Sequence, residues 1–155
     1  MRRQNKTHSE NMLDEKEFNR WLTSAEKTLK SAYGDTEREE YNWACFKAQQ
    51  AAEFAVKALL RGLGLPSYGH SISKLLISLK EKGLNIPNEI INAGKALDKH
   101  YVLTRDPNAW TEGSPHEYYT KEDAENATQQ TNLIIKWVKK LWKSLKKEKR
   151  QEKKS

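Results

Sequence analysis

The sequence predicts an all-α protein, an up-and-down bundle of about five helices in one domain. Three observations carry that expectation. In the long blocks, apolar residues recur at spacings of three and four, the period of a helix buried along one face. No segment alternates apolar and polar residues with period two, and no Asn-Gly turn joins two apolar runs, so no sheet is expected. Glycines and prolines fall mainly between the blocks, at Gly34, Gly62, Gly64, Pro66, Gly83, Pro87, Pro107, Gly113 and Pro115.

The first helix is expected after Asp14, which with Glu17 makes a reciprocal capping pattern. Phe18, Leu22, Ala25, Leu29 and Ala32 then form one stripe, with Gly34 as the stop. Thr36 and Glu39 repeat the capping pattern and should open a second helix running to about Leu63. That helix carries Tyr41, Ala44, Cys45, Ala48, Ala51, Ala52, Ala55, Leu59 and Leu60 on one broad face. Its alanines allow close helix approach, while Trp43, Phe46, Phe54 and Val56 add apolar surface elsewhere, which places it centrally or at an interface. A third helix is expected over 71–82, with Ile72, Leu75, Leu76 and Leu79 inward. A fourth should run from Pro87 to about Leu97. Residues 99–119 have no period yet hold Tyr101, Trp110, Tyr118 and Tyr119, and structureless loops of such length are usually functional or mobile. The last helix starts at the Thr120–Asp123 cap, and Ala124, Ala127, Thr131, Ile134, Val138, Leu141 and Leu145 make its packing seam.

A chain of 155 residues suits one domain with a real core. Its 32% charged residues alone would suggest disorder, but five Trp and six Tyr in periodic blocks argue for burial. The net charge of +7 is unevenly placed. From Lys136 to Ser155 there are ten basic residues against two acids, whereas the rest holds 18 against 19. A near-neutral domain with a basic C-terminal end speaks against a uniformly basic nucleic-acid binder. That end is expected to be a solvated helix terminus, with RNA phosphates or an anionic membrane surface as its alternative partners. The lone Cys45 excludes an internal disulfide, fits a reducing compartment and reads as core packing. No apolar stretch approaches the roughly 18 residues of a membrane span, and no apolar block follows the basic N-terminus as in a secretory signal. Cytoplasmic location is the expectation. The four His, at 8, 70, 100 and 116, lack paired ligand spacing, so neither a metal nor another cofactor is expected.

Three stretches together resemble a known family. They are Tyr41-Asn42-Trp43-Ala44-Cys45-Phe46-Lys47-Ala48-Gln49-Gln50-Ala51-Ala52-Glu53 with Lys57-Ala58-Leu59-Leu60, then Gly69-His70-Ser71 with Leu75-Leu76, then residues 97–109 (LDKHYVLTRDPNA) with Tyr119-Thr120 and Asp123-Ala124. In order and spacing they are similar to the HEPN family over roughly residues 15–140. The resemblance implies a five-helix bundle, frequently dimeric, paired with a small nucleotidyltransferase, binding nucleotides or RNA in a toxin–antitoxin or defence context. Residues 14–147 are then the HEPN-like domain, residues 1–13 a flexible N-terminus and 148–155 a basic disordered tail. Ribonuclease branches of the family carry an Arg followed closely by a His. Here ten residues separate Arg105 from His116, and Arg61 reaches its next His only at 70, which weighs against catalysis.

The expected nucleotide site gathers Gln49, Gln50, Glu53, Lys57, His70, Asp98, His100, Tyr101, Arg105 and Tyr119. Arg105 would fork onto a phosphate, Tyr101 would offer a stacking face, and His100 a polar contact or proton carrier. A structural alternative stands beside each role. Asp98 and Arg105 would form an ion pair, Glu53 and Lys57 an ordinary four-apart helix pair, and Ser71 an N-cap. The backbone amides after Gly69-His70-Ser71 are a further anion-binding candidate. Two other readings of function stay open: a metal-independent endoribonuclease using Arg105 with His100 or His116, and a non-catalytic interaction or dimerisation protein.

Overall fold

The computed structural model describes residues 12–154. It is all-helical among these residues: α1 Glu15–Glu37, α2 Tyr41–Gly62, α3 Ile72–Glu81, α4 Asn88–Asp98 and α5 Lys121–Lys154, with short turns between α4 and α5. Most of the expected flexible N-terminus, residues 1–11, lies outside the described residues. Leu13 already packs on the core.

Asp14 caps α1 by accepting from the Glu17 amide at 3.0 Å, and its own amide donates to Gly62 O, tying the start of α1 to the end of α2. Phe18, Leu22, Ala25, Leu29 and Ala32 are all buried, as their period requires. Gly34 does not stop the helix. An isolated glycine costs only about 1 kcal/mol in a helix, and the chain continues to Glu37. The expected second cap at Thr36 is also absent. Its hydroxyl turns back to Ala32 O at 3.1 Å, and Glu39 makes the corner in the left-handed region at φ 62°, so α2 begins at Tyr41. Buried Asp35 closes that corner by accepting from Arg38 at 2.6 Å and pairing with Lys47 at 2.8 Å.

α2 is the central element, touching α1, α3, α4 and α5. Ala44, Ala48, Ala51, Ala52, Ala55 and Ala58 are fully buried, so neighbouring backbones come close; Thr131 Oγ1 on α5 reaches Ala48 O at 2.6 Å. Val56, expected off the main apolar face, is also fully buried, because partners surround this helix. Gly62 lies against Trp142, whose ring stacks on Phe18 at 4.1 Å.

Ser71 caps α3 as expected, accepting from the Lys74 amide. Thr120 and Asp123 exchange backbone bonds at the start of α5. α5 then runs 34 residues to Lys154. The segment expected as a disordered tail is therefore helical through Lys154, because the three-four seam carries the helix past Leu145 and charged residues with good helix propensity continue it. No helix among the described residues is long and apolar enough to cross a membrane.

Candidate functional site

Three polar side chains of α2 converge on one buried carboxylate of the same helix. Glu53 accepts from Lys57 Nζ at 2.9 Å, Gln49 Nε2 at 3.3 Å and Gln50 Nε2 at 3.4 Å, and His70 Nδ1 lies 3.2 Å from it. Gln49 Nε2 also donates to His70 O at 3.0 Å. The Glu53–Lys57 pair exists as expected but is buried, where charges persist only when paired and hydrogen-bonded. Gln49, Gln50 and Lys57 thus turn toward Glu53 and pin the α2–α3 connection.

The network reaches the surface through stacked rings. His70 lies on Tyr101 at 4.6 Å and 16°. The Arg105 guanidinium sits 4.8 Å from the Tyr101 ring centroid and 4.5 Å from that of Phe46. Arg105 Nε donates to Tyr101 O at 2.8 Å, a bond within the helical turn His100–Leu103 and its exit. The other guanidinium nitrogens have no hydrogen-bond partner and no ion pair among the described residues. Cation–π stacking therefore holds this exposed group with most of its donors open.

Asp98 does not join Arg105. It accepts from the amides of Ile72 (2.6 Å) and Ser73 (3.2 Å) and from the hydroxyls of Ser71 and Ser73, so it caps α3 from the end of α4. That occupation replaces the expected ion pair and fills the anion position considered at the start of α3. His100 and Tyr119 form a separate pair, Nδ1 to hydroxyl 3.3 Å. Burial lowers the His100 pKa, with nearby Asp123 opposing and Lys99 adding. Burial likewise raises that of the Tyr119 phenol, with Cys45 and Asp123 adding. Cys45 is fully buried and its thiol is pushed up to about 12 by burial, so it is no nucleophile at neutral pH.

The aperiodic stretch 104–119 folds back on α2. Asn42 Nδ2 donates to Thr104 O at 3.1 Å, Trp110 Nε1 to Leu103 O at 2.7 Å, and the Trp110 ring stacks on Tyr118 at 4.2 Å. Two 3-10 turns, Pro107–Ala109 and Pro115–Glu117, shape the return. In consequence Arg105 and His116 line one open cavity of about 480 Å³ with Glu39, Glu40, Asn42, Trp43 and Pro115. His116 Nδ1 is 2.8 Å from Ser114 Oγ. The sequence reading missed Asn42, Trp43, Glu39 and Glu40 here; the available signal was Trp43, a large aromatic on the polar side of α2, which is 43% exposed. Among the described residues no group of three or more His, Cys, Asp or Glu is arranged to hold a metal.

A model of the HEPN domain family matches residues 18–141. The chain belongs to the HEPN domain family. A Methanocaldococcus jannaschii protein named "Putative toxin MJ1304" is 30% identical over 131 residues, 77% of this chain and 84% of that protein. Among solved structures, TT1696 from Thermus thermophilus superposes with a TM-score of 0.77 at 39% identity, covering 79% of this chain and 96% of that one. The archaeal HEPN homologue ST0689 gives 0.69 at 39% identity, covering 80% and 96%. A HEPN domain protein from Thermotoga maritima gives 0.66 at 33% identity, covering 80% and 98%. Those structures match almost end to end while about a fifth of this chain falls outside the match, and the last turns of α5 lie beyond residue 141, where the family match stops.

Proposed function

We propose that this HEPN protein binds a nucleotide or an RNA segment in the cavity shared by Arg105 and His116, as the binding half of a toxin–antitoxin-like or defence pair. Its partner in this reading is a small nucleotidyltransferase, its own state a homodimer and its setting the cytoplasm. The toxin name of the archaeal relative supports the context. The observation that carries the reading is the open guanidinium of Arg105, fixed on two aromatic rings at the edge of a cavity large enough for a nucleotide. Exposed Trp43 offers a stacking face in the same cavity. The test is a low-salt thermal-shift panel with nucleotides and a short RNA on wild type and Arg105→Ala. A ligand at about 100 times its dissociation constant adds roughly 2.7 kcal/mol of stability. The shift is expected in wild type alone; equal shifts in both proteins would remove Arg105 from the site.

A second reading is favoured by the placement of His116, rather than His100, in the cavity that Arg105 lines. In a metal-independent endoribonuclease, His116 takes the proton of a ribose 2′-hydroxyl as its oxygen bonds to phosphorus. The bond to the 5′-oxygen breaks to leave a 2′,3′-cyclic phosphate, water protonates the departing 5′-oxygen, and Arg105 steadies the phosphate charge. Labelled single-stranded RNA left intact by excess partner-free protein would reject it.

A further inference from the structure

Seven of the cations of α5 fall into two rows with different surroundings. Lys139 pairs with Glu26 at 3.2 Å and Lys146 with Glu15 at 2.7 Å, fastening the helix to α1. Lys136, Lys140, Lys143, Lys147 and Arg150 recur at spacings of four, three, four and three, and all five are exposed. At 100° per residue they fall within an arc of about 80°, over about 21 Å of helix. None makes an ion pair among the described residues, although Arg150 at the end of the row is near Glu15 of α1, and the single acid between 136 and 150, Glu148, points about 120° from Lys136.

A row of this kind opposes helix formation, because like charges three and four apart repel. The negative pole of the helix dipole accounts only for cations in the last turn, and Lys136 and Lys140 lie several turns earlier. We propose that this stripe is a track for the phosphate backbone of RNA, separate from the Arg105 cavity and independent of base sequence. Its spacing of about 4.5–6 Å along the axis sets successive cations against successive charges of an extended polyanion. A membrane surface fits less well. A helix lying in a bilayer interface needs a free apolar face, whereas Ile134, Ile135, Val138 and Trp142 are buried in the bundle and no large apolar residue is exposed between 136 and 150.

The experiment measures oligouridylate binding by full-length protein across a salt series. Five single-strand phosphate contacts give a log–log slope near −3.5, a loss of roughly 130-fold between 50 and 200 mM salt. Lys140→Gln/Lys143→Gln/Lys147→Gln should flatten the slope by about 2, leaving a loss of roughly 7-fold. Lys139→Gln/Lys146→Gln removes the row fastened to α1 and should change the slope by less than about one contact. Circular dichroism checks that both variants keep the fold; of the substituted lysines only Lys146 is partly buried. Equal slopes for the two variants, no oligouridylate binding by wild type, or displacement of the RNA by anionic vesicles or polyglutamate as readily as by unlabelled RNA would overturn the proposal. The cavity is scored separately by a mononucleotide thermal shift that wild type shows and Arg105→Ala loses. A slope left unchanged by the triple lysine variant, with that difference present, sinks the stripe alone, and a flattened slope without that difference sinks the cavity alone.

Discussion

Two aromatic assemblies in this protein use the same contact for opposite ends. At the junction of α1, α2 and α5, Phe18 and Trp142 stack at 4.1 Å and are 2% and 4% exposed, with Gly62 pressed against the indole. Around residues 99–119, His70 on Tyr101, Arg105 on Phe46 and Trp110 on Tyr118 stack at 4.6, 4.5 and 4.2 Å, yet Tyr118 and Trp43 are each 43% exposed. The first assembly closes the core. The second orders a surface, and beneath its His70–Tyr101 stack lies the hydrogen-bonded carboxylate of Glu53. Stacking alone therefore does not separate core from site; the chemistry of the layer below does.

Breaking that lower layer should have the largest effect. Glu53→Ala leaves Lys57 buried without its anion and should lower unfolding stability by about 3–5 kcal/mol, read by urea denaturation. A smaller loss than from the next substitution would show that the site side, like the junction, rests on packing. Gly62→Ala would set a Cβ 2.6 Å from two Trp142 ring atoms and 3.1 Å from Phe18 Cβ, for a loss of about 1–3 kcal/mol. It should leave the ligand response intact, because the junction and the cavity share no residue.

A pH series sharpens the contrast at smaller amplitude. Burial holds the folded-state pKa of His100 below its ordinary value of 6.5. The unfolded chain then binds a proton that the folded one refuses, so stability falls as pH drops below about 6.5 and levels off once the folded pKa is passed. In His100→Gln that part of the decline should vanish; an identical decline in both proteins would assign it to other groups. The smallest stability effect belongs to Arg105→Ala, within about 0.5 kcal/mol by thermal melting, since the side chain is exposed.

Hydrophobic period made the bundle legible. Every member of the Phe18–Ala32 stripe is buried, and so is the alanine face of α2. The α1–α2 corner was misread because Gly34 and the Thr36–Glu39 pattern are local signals of modest energy, overridden by the Asp35 contacts to Arg38 and Lys47. Site residues were legible as types, not as partners. Asp98 reaches amides 25 and 26 residues away, and His116 meets the Arg105 cavity only through two 3-10 turns and a Trp–Tyr stack. Such pairings follow from tertiary approach and leave no period in the chain.

The Asp98 cap also bears on how the native state opens. α3 has ten residues, fewer than the roughly 12–15 at which even good helix formers become marginal alone in water. Its first amides are held by the final residue of α4. When α4 leaves, α3 keeps its Ser71 cap and its contact with α2 but loses the Asp98 bonds and its packing on α4 together, so the two should unfold as a single cooperative unit. Their slow amide protons should exchange with one shared opening energy, and a probe on either helix reports on both.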